Sequence, residues 1–479
     1  MFTVRSVAIA LLVLGYGGLG LTVAAQSPGP AARVDEVFAR WRSRAAPGCA
    51  VAVIRTGSLA YAQGYGSANL EYDIPISPAS VFHVASVSKQ FTAMAVGLLA
   101  ADGQLTWDDD IRRYVPEVPN FEGAITLRQL ANHTSGLRDQ WSLLRMAGWR
   151  WEEDVVKQAD VLDVLSRQRA LNFPQGSEFL YSNTGYTLLA TVVERVSGQS
   201  LRAFTDERIF APLKMRHTQF HDDHTALVPN RAYAYRRGDD GAYRVSIPDF
   251  DVVGPTSLFT TVEDLARWER NFYTGEIGGH GVLADLHRRG TLSDGRMVSY
   301  AAGLTHGSYR GYRTVGHGGA DAGYRSEFLR FPDQELAVAV LCNEPSSDPD
   351  RLIRAVADIY LELAAAQSAP NQVATVATST APASKGRDGG SVGIEGEVEM
   401  PLPADLSALT GFYRRDDSDT PLQLVVRSGA LTILSGGENG TLLPAGTNRF
   451  RLAGSSTVGT FDRTDGPATL ELTGPVGGR

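Results

Sequence analysis

The sequence predicts an α/β fold, in which an antiparallel sheet flanked by helices stands beside an all-helical region. A small, barrel-like all-β domain is predicted to follow it. Two observations support the first unit: strand-like runs occur near both ends of residues 26–366, and a long helical stretch separates them. A third observation, short alternating runs between glycine turns, predicts the β domain at residues 404–479.

Five strand-like runs define the predicted sheet. Two of them, at 49–55 and 59–65, are separated by Thr56-Gly57, which predicts a hairpin. The other three lie far along the chain, near 312–315, 324–331 and 335–342. A helix from 350 to about 365 is expected to close the unit. Because strands stand at both ends of a helical middle, a single sheet built from both ends is the simplest solution.

The length of 479 residues requires more than one folded unit, since single cores stop growing at roughly 250–300 residues. Residues 1–25 predict a signal peptide: Arg5 precedes an apolar run, which ends in the small residues Val23-Ala24-Ala25. An uncleaved membrane anchor is the alternative. After cleavage no membrane span is expected, and the mature chain is expected to be periplasmic or secreted.

Residues 367–403 consist mainly of Ala, Thr, Ser, Pro and Gly, which predicts a flexible linker. The β domain after it begins near Leu409-Thr-Gly-Phe-Tyr413, which resembles lipocalin-like tails. Hydrophobic residues make up 43% of the chain, charged residues 20%, and the net charge is −8. This balance is typical of a globular protein and gives no indication of a nucleic-acid partner.

The two cysteines, Cys49 and Cys342, lie at the start of one strand-like run and the end of another. If the strands are antiparallel neighbours, the two residues meet, and an oxidising compartment permits a disulfide. The alternative, which the sequence alone favours, is a pair of buried thiols packed as small hydrophobic groups.

The first chemical motif is Ser86-Val87-Ser88-Lys89, directly before an apolar run at 91–101. Residues three apart share a helix face, so the Ser86 hydroxyl and the Lys89 amine are expected to be neighbours at a helix start. The helix is apolar nearly all round, which predicts burial, and burial lowers the pKa of a lysine. Ser86 is therefore the candidate nucleophile and Lys89 the candidate base.

Lysine is rare in this chain. Only Lys89, Lys157, Lys214 and Lys385 occur, and arginine fills the other basic positions. A base must release its proton, which arginine does not do, so a lysine at position 89 is informative. The structural alternative is a helix-capping serine followed by an unrelated surface lysine.

Two further motifs follow in the chain. Tyr181 and Asn183, in Tyr181-Ser182-Asn183, follow turn residues and precede a helix-like run, so a loop can present the phenol for proton transfer and the amide for substrate binding. In His317-Gly318-Gly319-Ala320, at the start of a strand-like run, Gly319 leaves room for a substrate backbone. The Ala320 amide can then join that of Ser86 in an oxyanion hole. A core tyrosine with a capping asparagine, and a tight turn, are the alternatives.

The three motifs, in this order, resemble the β-lactamase and penicillin-binding-protein superfamily, in which S-x-x-K is followed by two further active-site motifs. The sequence resembles the branch of class C β-lactamases, D-aminopeptidases and family VIII esterases more than the class A enzymes, because in that branch the middle element is Y-x-N and the third is K-T-G or H-x-G. The loop from His133 to Leu137 and the run from Ser257 to Thr261 extend the resemblance over residues 30 to 365. It implies a β-lactamase/transpeptidase-like fold and an acyl-enzyme at Ser86, activated by Lys89 and Tyr181.

The same resemblance implies that Asn183, His317, Gly319 and Ala320 bind the substrate and the oxyanion, without cofactor or metal. His317 stands where many β-lactamases have lysine, and neutral histidine offers no permanent charge to a substrate carboxylate. The substrate is expected to be a small peptide, ester or β-lactam. A D-amino-acid peptidase, carboxypeptidase or esterase is favoured over a class C-like β-lactamase or a β-lactam or peptidoglycan sensor that is acylated without turnover. The oligomeric state is left open.

Three other features resemble functional motifs but are expected to have no catalytic or metal-binding role. Gly389-Gly-Ser-Val-Gly393 matches a nucleophile elbow, yet it falls in the linker, with no strand before it. His133 and Ser135 are expected to be loop structure. A loop rich in metal-ligand types is expected to hold solvated side chains rather than a metal; it contains His217, His221, Asp222, Asp223 and His224.

Overall fold

A computed structural model describes residues 29–150 and 153–368, together with seven strand segments between 411 and 473. The predicted signal peptide, the linker after residue 368 and the motif at 389–393 lie outside the described residues. Searched over the described part, the chain has no helix that is both long and apolar enough to span a bilayer.

A six-stranded antiparallel sheet organises the first unit, in the order β10-β11-β12-β13-β1-β2. The sheet combines strands from both ends of the segment, as predicted. Its strands are β1 (Cys49–Arg55), β2 (Ser58–Tyr65), β10 (Thr305–Tyr309), β11 (Tyr312–Asp321), β12 (Tyr324–Phe331) and β13 (Leu336–Cys342). The first two form the predicted hairpin, whose turn residues Thr56 and Gly57 both have positive φ.

Strand β11 corrects one predicted boundary. The sequence placed the strand near 312–315 and the His317-Gly-Gly-Ala320 motif at the start of a separate run, whereas the strand continues through Asp321. Glycines weaken strand propensity, which explains the short prediction. Pairing with β12 nevertheless extends from Val315 to Asp321, so the motif lies within the sheet.

The described residues of this unit contain ten helices, of which α8 and α10 pack on the sheet, and short 3-10 turns connect some of them. The helices are α1 (Pro30–Val37), α2 (Lys89–Ala101), α3 (Leu127–Ala131), α4 (Gln140–Met146), α5 (Gln158–Ser166), α6 (Asn183–Ser197), α7 (Leu201–Thr205), α8 (Val262–Thr274), α9 (Gly279–Leu286) and α10 (Pro349–Ser368). Helix α2 is buried almost throughout because its residues are apolar on every side. Helix α6 ends at Gly198, whose left-handed conformation suits glycine.

Short strands complete the unit in three small sheets. They are β3 (Ser67–Asn69) with β4 (Ile74–Pro75), β5 (Phe82–His83) with β9 (Leu258–Thr260) and β6 (Gln219–Phe220), and β7 (Tyr235–Arg237) with β8 (Tyr243–Val245). The pairing of β5 with β9 fixes the strand that ends three residues before Ser86.

The main sheet separates two hydrophobic cores. Alternate residues of its strands point to opposite faces, so Ala50 and Ala52 join the core around α2 while Val51 and Val53 pack beneath α1 and α10. Cys49 and Cys342 face each other across β1 and β13 and form a disulfide. The sequence favoured two free thiols; that preference is wrong, because the register places the two residues directly opposite.

Seven strands follow in the C-terminal segment as an antiparallel meander in chain order. They are β14 (Gly411–Arg415), β15 (Ser418–Arg427), β16 (Ala430–Ser435), β17 (Glu438–Gly446), β18 (Arg449–Leu452), β19 (Val458–Asp462) and β20 (Thr469–Thr473). The all-β character agrees with the prediction. Within the described strands β14 and β20 do not pair, so closure into a barrel stays a prediction.

Candidate active site

Ser86 lies in a 3-10 turn, Ala85–Ser88, which leads directly into α2. It is therefore placed just before the helix rather than within it, and i,i+3 side chains eclipse in a 3-10 turn, so Lys89 still lies beside it. Within residues 80–99 Ser86 is the one residue that is not fully buried. The preceding Ala85 has φ of +46°, a strained conformation for a non-glycine residue. Such strain is typical of functional sites.

Lys89 is completely buried, and its amine contacts three neutral oxygens. The Nζ atom lies 3.0 Å from Ser86 Oγ, 2.9 Å from Asn183 Oδ1 and 2.8 Å from the carbonyl oxygen of Pro255. Burial lowers the pKa of Lys89 to about 7, although the more distant charges of Asp139 and Asp321 oppose the shift. The lowered pKa favours the uncharged amine, which is the form that a general base requires.

The neutral amine suits its surroundings. It has two protons and one lone pair, and the oxygens of Asn183 and Pro255 can accept the two protons. The lone pair is then directed at the Ser86 hydroxyl, which donates its proton to it. Ser86 and Lys89 are thus brought together with the donor and acceptor roles that nucleophile activation needs.

Asp139 is a site residue that the sequence analysis missed. Its Oδ2 accepts hydrogen bonds from the side-chain amide of Asn183 at 2.9 Å and from the Asn183 backbone at 2.7 Å. Because the Nδ2 group is held by a carboxylate, Oδ1 is the atom that faces Lys89. Asp139 also accepts from the Trp141 amide as the N-cap of α4. Its position two residues after the noted His133–Leu137 loop was the available signal.

Tyr181 lies in the loop before α6 and faces the same amine. The Nζ atom of Lys89 is 4.8 Å from the centre of the Tyr181 ring. Burial raises the pKa of Tyr181, and the nearby Ser86 hydroxyl partly opposes that rise. The phenol oxygen is buried and lacks a hydrogen bond of normal geometry to any described residue. The phenol therefore stays protonated and has a proton available for a leaving group.

His317 points from β11 toward Tyr300, beside the Tyr181 ring. Its Nδ1 donates to the carbonyl oxygen of Gly318 at 2.6 Å, so Nε2 is left to accept from the Tyr300 hydroxyl at 2.8 Å. Burial and, secondarily, the charge of Lys89 lower the His317 pKa to about 3. His317 is accordingly a neutral group at physiological pH.

One edge of β11 is open beside the motif. Strand β10 pairs with β11 only up to Gly316, whereas β12 covers the other edge as far as Asp321. Backbone groups from His317 to Ala320 therefore have no described strand partner on this edge, and Ala320 is exposed. A Cβ atom at Gly319 would lie 2.3 Å from the carbonyl oxygen of Val84. Gly319 thus permits close packing of β11 on the nucleophile turn, and its contact with a substrate backbone stays a prediction.

Two residues that were expected to have no catalytic role, His133 and His221, make structural hydrogen bonds. His133 Nδ1 accepts from the Ser182 amide at 3.2 Å and so supports the loop of Tyr181. His221 is buried and bonded to the carbonyl oxygen of Ala226, which corrects the expectation of a solvated side chain. Of the described residues only Asp223, His224 and Asp251 bring three potential metal-ligand atoms together.

A serine hydroxyl, a buried amine three residues later and a buried phenol together form the arrangement expected of a serine hydrolase with an S-x-x-K motif. The chain belongs to the β-lactamase family, whose pattern it matches over residues 34–361. That span includes all seven predicted site residues.

Individual proteins resemble this chain in sequence or in fold. The chain is 26% identical to a D-aminopeptidase of Cereibacter sphaeroides over 302 residues, 63% of this chain and 57% of that protein. It thus spans less than two thirds of the relative's length. Its fold is shared with an octameric penicillin-binding protein homologue from Pyrococcus abyssi (20% identity, TM-score 0.61, covering 93% and 99% of the two chains). It is also shared with a D-amino acid amidase from Ochrobactrum anthropi (21%, TM-score 0.58, 71% and 99%).

Proposed function

We propose that this protein hydrolyses amide bonds next to a D-amino acid residue, through an acyl-enzyme formed on Ser86. The observation that carries the proposal is the 3.0 Å contact between Ser86 Oγ and the Lys89 amine, whose pKa burial lowers to about 7. Ester bonds of similar shape are the second expected substrate, because the same acyl transfer serves both bond types.

In acylation, neutral Lys89 removes the Ser86 proton while Oγ attacks the scissile carbonyl carbon. The backbone N–H groups of Ser86 and Ala320 stabilise the oxyanion, and Asn183 orients the substrate. Tyr181 donates its proton to the leaving nitrogen as the C–N bond breaks. Lys89 then returns the serine proton to the tyrosinate, which restores both groups. Water releases the acyl group by the same transfers in reverse.

The pKa shifts of the two proton-transfer groups favour these roles. Burial lowers the pKa of Lys89 and raises that of Tyr181, so a neutral base and a neutral acid coexist at pH 7. Opposite shifts in neighbouring titratable groups are typical of an acid–base pair.

Neutral His317 weighs against a specialised β-lactamase. With a pKa of about 3, it offers no positive charge to a substrate carboxylate at neutral pH. The D-aminopeptidase relative and the D-amino acid amidase neighbour support an amide substrate instead. A peptide with a D-residue on the acyl side is an amide and needs no contact between a substrate carboxylate and a cationic residue 317.

Ser86→Ala tests the proposal directly. The wild-type protein should hydrolyse D-alanine p-nitroanilide and react with a fluorescent fluorophosphonate, and the variant should lose both activities. Ser135→Ala is the matched control, because that serine lies in the neighbouring loop and its Oγ accepts from the Leu137 amide. Full labelling of Ser86→Ala would refute the nucleophile. Rapid turnover of a cephalosporin would favour a β-lactamase, and a lasting acyl-enzyme without turnover would favour a sensor.

We further propose that the chain is exported, with a cleaved signal at 1–25, a hydrolase unit at 26–366, a linker at 367–403 and a β domain at 404–479. The Cys49–Cys342 disulfide supports export, because disulfides persist in oxidising compartments. Expression with a C-terminal tag in a Gram-negative host should give periplasmic protein that begins near Gln26. Cytoplasmic protein with an intact N-terminus would contradict the proposal.

A further inference from the structure

Asp321 is a buried carboxylate that the proposed reaction does not use. It follows Ala320 in β11 and, because side chains alternate along a strand, points to the same face of the sheet as His317 and Gly319. The residue is only 9% exposed. It therefore lies one residue beyond the proposed oxyanion-binding amide, on the side of the sheet that contains the active site.

The hydroxyl group of Thr256 and the imidazole ring of His83 connect Asp321 to the turn that contains Ser86. Thr256 donates to Asp321 Oδ2 at 2.8 Å, and the neighbouring Pro255 carbonyl accepts from Lys89. His83 Nδ1 accepts from the Ala85 amide, so its proton is on Nε2 and is directed at the Thr256 oxygen, 3.4 Å away. The segment Pro255–Thr256 thus contacts both Lys89 and Asp321, and His83 contacts both Thr256 and the turn that contains Ser86.

The charge of Asp321 has no bonded counter-ion. His83 Nε2 lies 3.9 Å from Oδ2, but burial lowers the pKa of His83 well below its ordinary value, so this ring is neutral. Arg325 acts on Asp321 at longer range, while its Nη1 donates to the carbonyl oxygens of Ala322 and Tyr324. The Ala322 backbone amide also donates to the Asp321 carboxylate. A buried carboxylate without a bonded cation is costly, which indicates a cation supplied by a ligand.

We infer that Asp321 binds the free α-ammonium group of an amino-acyl substrate and so restricts the site to peptides and amides with a free N-terminal residue. This inference rests on the proposed amidase function. An α-ammonium group is separated from the scissile carbonyl carbon by one carbon atom, and Asp321 is the neighbour of the residue whose amide is proposed to hold that carbonyl. An ammonium group supplies the positive charge that the surroundings of Asp321 lack and donates a charge-assisted hydrogen bond to the carboxylate.

The raised pKa of Asp321 is consistent with this role. Burial raises the pKa of Asp321 to about 7, with Thr256 the main opposing influence, so the unbound carboxyl is partly protonated. An arriving ammonium group favours the ionised carboxylate. N-acetylation of the substrate removes the positive charge and adds a bulky acyl group, so Asp321 should discriminate strongly between the two forms.

The experiment compares D-alanine p-nitroanilide with N-acetyl-D-alanine p-nitroanilide in the wild type and in Asp321→Asn. The measured quantity is the ratio of kcat/KM for the two substrates, because effects of Asp321 on Lys89 cancel in the ratio. We expect the wild type to prefer the free amine, and the substitution to reduce that ratio by about 30-fold or more. An unchanged ratio in Asp321→Asn would overturn the inference.

Thr256→Val separates ammonium binding from a structural role. This variant removes the hydrogen bond to Oδ2 but keeps the carboxylate, so the preference for the free amine should largely survive. An equal loss of the ratio in both variants would show that Asp321 acts only through the local structure. If the wild type cleaves both substrates equally, the inference fails while the proposed amidase function stands. If it cleaves neither, the proposed function itself fails.

Discussion

Two buried cations on the same side of the sheet have opposite environments. Lys89 is completely buried and contacts only neutral oxygens, the nearest carboxylate being bonded to Asn183 rather than to the amine. Arg330, with its side chain 3% exposed, is bonded directly to the Glu269 carboxylate of α8 and stacks on Phe272. The first environment favours loss of a proton from the Lys89 amine, whereas the second pairs the Arg330 guanidinium directly with a carboxylate.

The difference shows what distinguishes a catalytic cation from a structural one in this fold. Arginine does not deprotonate in proteins, so a directly bonded carboxylate is the means by which it is buried. A lysine can lose its proton instead, and the structure provides Lys89 with two acceptors and one hydroxyl rather than a counter-ion. If this distinction holds, replacing Lys89 should mainly reduce activity, and replacing Arg330 should mainly reduce stability.

Lys89→Met should have the largest effect. It removes the amine while keeping a flexible side chain of similar length, and loss of a general base costs about 100- to 10,000-fold in rate. The quantity to measure is kcat on D-alanine p-nitroanilide. Lys157→Met, at an exposed lysine, is the matched control and should retain wild-type activity. Substantial turnover by Lys89→Met would show that another group activates Ser86.

Arg330→Met should instead reduce stability. Breaking a buried ion pair leaves Glu269 as an uncompensated charge, which costs about 3–5 kcal/mol in the free energy of unfolding. Urea unfolding measures this loss, and kcat per fluorophosphonate-reactive site should stay close to the wild-type value. The double variant Glu269→Leu/Arg330→Met should recover most of the stability, because both charges are then absent. A double variant as unstable as the single one would show that packing, not charge, is decisive.

The sequence alone predicted the parts of this structure that depend on local spacing. Strands β1 and β13 were predicted from continuous apolar runs, and Ser86 with Lys89 from a separation of three residues. Burial of α2 followed from its apolar composition, and with it the lowered pKa of Lys89. Each of these properties was indicated by residue types and spacings within a short stretch of the chain.

Other features depend on contacts between distant parts of the chain. Asp139 lies 44 residues from Asn183, and no spacing rule connects them. The disulfide required the register of β1 against β13, where a shift of one residue would have separated the cysteines. The extension of β11 through its glycines depends on its pairing with β12. Tertiary pairing determines all three features.

Asp139→Asn should give the smallest and most specific effect. The Asp139 charge raises the pKa of Lys89 against the effect of burial, so its removal should lower that pKa further below about 7. Because the active form of Lys89 is the deprotonated one, kcat/KM rises as pH increases through this pKa. The rise should therefore move to lower pH, by up to about one unit. The pH profile of kcat/KM between pH 5 and 9 measures the shift.

Asp139→Ala and Asp163→Asn complete this test. The alanine variant also removes the acceptor that fixes the Asn183 side chain, so it should lower kcat in addition to shifting the profile. Asp163 is on α5 in an exposed pair with Arg167, and its replacement should leave the profile in place. A wild-type pH profile in Asp139→Asn would mean that the proton affinity of Lys89 is set by burial alone. Lys89 and Arg330 would then differ in how desolvation acts on each group, and not in how far each lies from a carboxylate.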